Sequence, residues 1–92
     1  MAPLDLSAAD IGTHALAQMA RRGIAEAQLR ELLAKPQQVT AVREGRVVVQ
    51  GTVRREGMGV YLLRAFIDVD RVPPVVVTVY LTSKFAKYGG RQ

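Results

Sequence analysis

From Val39 onward the β-forming residues come in four runs, and the turns between them are too short to carry a strand back in the same direction. The runs are VTAVRE (39–44), RVVVQGTVR (46–54), GVYLLRAFIDV (59–69) and VVVTVYLT (75–82). Gly45, RREG (54–57) and DVDRVPP (68–74) mark the turns. A parallel pair needs a crossover of about a dozen residues or more. These connections therefore predict successive hairpins and an antiparallel sheet. Gly45 makes a tight turn, and Pro73 and Pro74 keep the last ladder from starting early.

Residues 11–35 read as a helical hairpin. In IGTHALAQMARRG, Ile11, Ala15, Leu16, Met19 and Ala20 form a stripe at helical spacing, and Gly23 suits a C-cap. Ser7 and Asp10 are candidate N-caps. In IAEAQLRELLAKP the inward set is Ile24, Ala27 or Gln28, Leu29, Leu32 and Leu33, with Lys35 at the negative end of the helix and Pro36 as its stop. Residues 1–10 read as a loose lead-in, 39–82 as the sheet and 83–92 as a basic tail, all within one domain of 92 residues. The expected class is α+β, with two N-terminal helices packed on one face of a four-stranded antiparallel sheet. Its core is expected to hold Leu16, Met19, Leu29, Leu32, Val49, Leu63, Val77 and Val79.

Composition removes several chemistries. With no cysteine and one histidine, neither a disulfide framework nor a zinc site can be built, and no cofactor is expected. No basic-then-apolar leader is visible, and the apolar runs fall short of the roughly 20 residues of a membrane helix. A soluble cytoplasmic protein with no membrane partner is the expectation. The net charge is +5, and it is uneven: residues 1–42 hold four basic and four acidic side chains, residues 43–92 nine and four. Such a surface attracts phosphate backbones, anionic lipids or an acidic protein, and charge alone does not choose among them.

Strand phases say where that charge goes. If the uniformly apolar phases (Val47, Val49 and Val53; Tyr61, Leu63, Ala65 and Ile67; Val75, Val77, Val79 and Leu81) face the helices, the other face collects Arg46, Gln50, Arg54, Arg64, Thr78, Tyr80 and Thr82. Arg64 stands out because its strand neighbours are apolar on both phases, and a partly buried guanidinium needs a partner. Asp68 or Glu56 could supply one within the protein; a bound phosphate is the other reading. On the helix read from IGTHALAQMARRG, His14, Gln18 and Arg21 share a side, with Arg22 on its flank.

Paired carboxylates, a Gly-rich phosphate loop and a nucleophile elbow are all missing from the sequence. What the open face suits is metal-free RNA cleavage, in which the substrate's 2′-hydroxyl attacks the adjacent phosphate. Arginine and lysine neutralise the phosphorane, while His14 or Tyr80 moves protons.

HALAQMARRGI (14–24), the Leu-rich helix ending in Lys35-Pro36, and VTVYLTSKFAKY (77–88) together resemble a family of small bacterial domains of unknown function. Such domains are often encoded beside zinc-finger antitoxins of the MqsA/YgiT type and are grouped with RelE- and MqsR-like toxins. The resemblance covers about residues 13–88, and His14, Arg22, Thr78, Tyr80, Lys84 and Tyr88 match its recurring positions. It implies a RelE-like ribonuclease fold and the toxin of a type II toxin–antitoxin pair. It further implies messenger RNA, free or on the ribosome, as substrate and a cognate antitoxin as partner. The expected catalytic set is His14, Arg22, Arg64, Thr78 and Tyr80, and the expected RNA-binding set is Arg46, Arg54, Lys84, Lys87 and Tyr88. Two other classes fit the same face: a non-catalytic RNA- or ribosome-binding module, and a module that binds an acidic protein.

Overall fold

The computed structural model describes residues 6–55, 57 and 59–83. The elements are β1 (Asp10–Ile11), α1 (Thr13–Arg22), α2 (Glu26–Ala34), β2 (Gln38–Arg43), β3 (Arg46–Arg55), β4 (Gly59–Asp68) and β5 (Val75–Thr82). They form one five-stranded sheet in the order β1-β5-β4-β3-β2. The expected four-stranded antiparallel sheet is thus corrected to a mixed one. β2 to β5 pair as antiparallel neighbours, and β1 adds a parallel pair at the β5 edge, Asp10 opposite Val75 and Ile11 opposite Val76. Two residues carry no readable periodicity, which is why β1 escapes the sequence. The chain between Ile11 and Val75 is long enough for the return that a parallel pair requires.

The lead-in is packed where it is described. Leu6 and Ala9 are buried. Leu6 N donates to Leu33 O (3.0 Å), and Arg30 Nη1 donates to the carbonyls of Ser7 (2.7 Å) and Ala9 (2.6 Å). Neither Ser7 nor Asp10 caps α1. Gly12 occupies that place without a side-chain cap, because Asp10 is committed to the sheet through Asp10 N to Pro74 O (2.8 Å). At the other end, Gly23 takes the left-handed conformation (φ 69°), which lets Ile24 N reach Met19 O at 2.9 Å. α2 opens with the Gln28 side-chain oxygen accepting from Ala25 N at 3.1 Å.

Ala15, Met19, Ile24, Leu29, Leu32 and Leu33 bury the helices against Val49, Leu63, Ala65, Ile67, Val76 and Val79 of the sheet. α1 lies on β5 and α2 on β3. Leu16, expected inside, is 46% exposed, because the close approach of α1 to β5 is made through Ala15 and Met19.

The second correction is in β5. Phe66 pairs with Thr78, but Ile67 pairs with Val76, so Val77 is an extra residue. This β-bulge shifts the phase of everything before it. Val76 and Val79 are both fully buried, while Val77 is only half-buried. After the bulge the phase is as expected, with Thr78, Tyr80 and Thr82 opposite Phe66, Arg64 and Leu62. Val76→Ala should therefore cost about 2 kcal/mol in urea unfolding, and Val77→Ala less than about 1. Equal losses at the two positions would mean that β5 alternates without a bulge.

Candidate functional site

The strand registers stack four long polar side chains in one row across the face opposite α1 and α2: Gln38 opposite Gln50, Gln50 opposite Arg64, Arg64 opposite Tyr80. Their side chains bond in the same order. Arg64 Nη1 donates to Tyr80 Oη, Arg64 Nε to Gln50 Oε1 (2.9 Å), and Gln50 Nε2 to Gln38 Oε1 (3.0 Å). A guanidinium only donates, so Gln50 must turn its oxygen to Arg64 and its nitrogen to Gln38. That gives the buried Gln50 amide (4% exposed) a partner at each end.

Two rings complete the setting of Arg64. Its Cζ lies 5.5 Å from the Phe66 ring centroid and 5.6 Å from that of Tyr80, and the two rings are 6.2 Å apart with 20° between their planes. These are cation–π distances. The carboxylate considered as the partner of Arg64 is engaged elsewhere: Asp68 takes Arg46, with Nε to Oδ1 at 2.6 Å and Nη2 to Oδ2 at 3.2 Å. Glu56 lies outside the described residues.

The face is therefore not uniformly basic. Arg46 is compensated at one end, Arg54 is exposed at the other, and the half-buried Thr78 sits opposite Phe66. Lys84, Lys87 and Tyr88 lie outside the described residues. Val48, Gln50 and Leu62 are buried on this face as well, so its centre is packed and its polar groups are held in place.

The remaining expected residues come from α1. The Gln18 side-chain oxygen accepts from Val79 N at 2.9 Å, tying the helix to the strand residue that precedes Tyr80. Beyond that bond a groove of about 460 Å³ opens, lined by Gln18, Arg21, Arg22, Val79 and Tyr80. Arg22 and Tyr80 of the expected catalytic set thus meet in one groove, and Tyr80 also joins Arg64. His14 is exposed one turn earlier on α1, about 6 Å along the axis from Gln18, and is not part of that lining. Sequence reasoning assigned no role to Gln18, Gln50 or Arg21. A lone glutamine among valines (VVVQG) was the signal for Gln50, and a place beside His14 and Arg22 on the wheel was the signal for the other two.

A second groove, about 350 Å³ between α2 and β3, mixes Glu31 with Lys35 and Arg54 and so has no single charge preference. Among the described residues there is no group of three or more His, Cys, Asp or Glu placed to hold a metal, and no helix long and apolar enough to cross a membrane.

Fold and site together define a small α+β domain whose sheet face opposite the two helices carries an arginine–tyrosine pair beside a donor-lined groove. The chain belongs to the family described as "Domain of unknown function (DUF4258)", whose model matches residues 11–81, from β1 to the penultimate residue of β5. No curated protein and no solved structure matches the chain.

The Arg46–Asp68 pair gives a pH dependence. The bond from Arg46 holds Asp68 below its ordinary range, against the opposing effect of desolvation, and Asp68 in turn raises Arg46. Folded Asp68 thus keeps its charge at a pH where the unfolded chain has begun to bind a proton. Stability rises with pH across that interval, and the contribution of the pair is lost as pH falls below about 4. Thermal unfolding between pH 6 and pH 2.5 should show Asp68→Asn less stable near neutrality and less sensitive to acid than the parent. Parallel melting profiles would mean the pair adds nothing.

Proposed function

We propose that this chain is the toxin of a type II toxin–antitoxin pair, acting in the cytoplasm as a metal-independent endoribonuclease through the Arg64–Tyr80 pair. The reading rests on the family resemblance to RelE- and MqsR-like toxins and on one observation above all. A guanidinium and a phenol are hydrogen-bonded to each other, on the sheet face opposite α1 and α2, next to a groove with two further guanidiniums.

In the proposed reaction the 2′-oxygen attacks phosphorus and loses its proton to a base. The bond from phosphorus to the 5′-oxygen breaks, and that oxygen leaves with a proton. The products are a 2′,3′-cyclic phosphate and a free 5′-hydroxyl. Arg64 neutralises the additional charge on the phosphorane, and its fixed orientation means that little reorganisation is needed when the charge develops. The Tyr80 phenol hydrogen-bonds or protonates the departing side, and Thr78 lies on the same face, at Phe66 opposite it. Arg22 belongs to the groove that shares Tyr80. Arg54 and the basic tail attract the substrate strand. His14, outside the groove lining, contacts the strand beyond it. A cognate antitoxin, of zinc-finger type on the strength of the resemblance, is the proposed protein partner.

The place of His14 also favours the non-catalytic reading, since an imidazole at the scissile phosphate is what a cleaving site of this kind would most simply use. One assay separates the two: end-labelled single-stranded RNA is incubated with the protein in EDTA, and product ends are analysed. The expected result is cleavage leaving 2′,3′-cyclic phosphate. Tyr80→Phe should lower the rate roughly tenfold to a thousandfold while changing stability by less than about 1 kcal/mol. Salt-sensitive binding with no cleavage would leave an RNA-binding module, and an unaffected Tyr80→Phe rate would remove Tyr80 from the chemistry.

A further inference from the structure

We infer that the groove between α1 and β5 is a second phosphate subsite, which holds the phosphate next to the one at Arg64–Tyr80 on the same polynucleotide strand. The inference rests on the RNA reading above and adds residues that reading does not need, Arg21 and Gln18.

The lining presents donors. Arg21 and Arg22 contribute two guanidiniums, and among the described residues no carboxylate lines the groove. The Gln18 oxygen is committed to Val79 N, so the half of its amide left to the groove is the nitrogen with its two N–H groups. A groove of donors and positive charge selects an anion, and forked guanidiniums suit the oxygens of a phosphate.

A structural reason for Arg21 and Arg22 would be compensation of the negative end of α1. Another side chain already meets that need. Arg55 donates from Nη1 to Gly23 O (3.1 Å) and from Nη2 to Arg22 O (3.2 Å), reaching the last carbonyls from β3. Three guanidiniums then stand at one helix end, a repulsive arrangement unless an anion joins them. Among the described residues Arg30 and Arg46 have carboxylate partners, whereas the side chains of Arg21 and Arg22 make neither an ion pair nor a hydrogen bond. The link to the proposed reaction site is Tyr80, which lines the groove and accepts from Arg64. Phosphates held on the two sides of one phenol are neighbours on a strand.

The test uses 2′-O-methyl oligonucleotides, which bind but cannot be cut: a dinucleotide with one phosphate and a trinucleotide with two. In calorimetric titrations the wild type should bind the trinucleotide about tenfold or more tightly than the dinucleotide. The log–log salt slope should be steeper by about 0.7 for the longer ligand. The double variant Arg21→Gln, Arg22→Gln should bring the affinity ratio close to one. Arg71→Gln, which removes an exposed charge from the β4–β5 turn, should leave the ratio unchanged. A ratio that survives in the double variant, or that falls as much in Arg71→Gln, overturns the subsite. So does a wild type that does not prefer the trinucleotide. Retained folding of each variant is checked by its melting curve. Failure of the ribonuclease reading looks different: the ratios behave as stated, yet the unmodified trinucleotide is not cleaved.

Discussion

One extra residue in β5 decides what both faces of the sheet hold. With strict alternation from Val75, the strand would bury Val75 and Val77 with Val79 and Leu81, and Val76 would be turned outward. The bulge at Val77 instead brings Val76 and Val79 to the helix side, both fully buried, and then lets alternation resume with Thr78, Tyr80 and Thr82 outward. It also fits the strand to the helix beside it. Gly12 N bonds to Val76 O, and Gln18 accepts from Val79 N. Six residues of helix rise about 9 Å, and three of strand at most about 10 Å. α1 and β5 can therefore run side by side with both bonds made, and this places the last turn of α1, with its two arginines, next to Tyr80.

Arg64 imposes the second constraint. A guanidinium set among Phe66, Tyr80 and the buried Val48 and Leu62 must have its donors satisfied, and a carboxylate in that position would cancel the charge the face could offer. Among the partners Arg64 meets there are the Gln50 and Tyr80 oxygens and two ring faces, which fix its orientation. The contrast with Arg46 is instructive, because that arginine has a bidentate carboxylate and is closed as an anion site. Two arginines on one sheet face, equivalent in a composition count, thus sit in different surroundings, one against a carboxylate and one against an amide, a phenol and two rings.

Much of this was legible in the residues and some was not, for definite reasons. β2 to β5 could be bounded within a residue or two because glycines and prolines fixed the turns and short connections forced hairpins. The face shared by Arg64, Thr78 and Tyr80 followed from alternation. A bulge leaves no mark in a run of four valines and a threonine, since every residue there suits a strand on either face, so Val77 was placed in the core that Val76 fills. Leu16 was misplaced because a helical stripe is wider than the contact that α1 makes. The two-residue β1 gains its bonds from Pro74 and Val76, distant in sequence, and not from its own composition. Two of the three site residues missed, Gln18 and Gln50, were amides: the role of a glutamine is set by its partners, here a backbone N–H and a guanidinium.

The edges of the sheet explain why the donor-lined groove lies at β5 rather than elsewhere. β2 is exposed along all six residues, and among the described residues no helix brings side chains to its outer side. At the other edge, β1 occupies the first part of β5 and the Gln18 side chain takes the next outward N–H, at Val79. That bond limits the residue at position 18. Asparagine is one methylene shorter than the span the glutamine covers. Glutamate could accept from Val79 but would put a negative charge where Arg21, Arg22 and Tyr80 converge, and leucine would leave a buried backbone donor without its partner. Glutamine accepts from the strand and donates outward, so the group that closes the edge of the sheet also completes the donor lining of the groove.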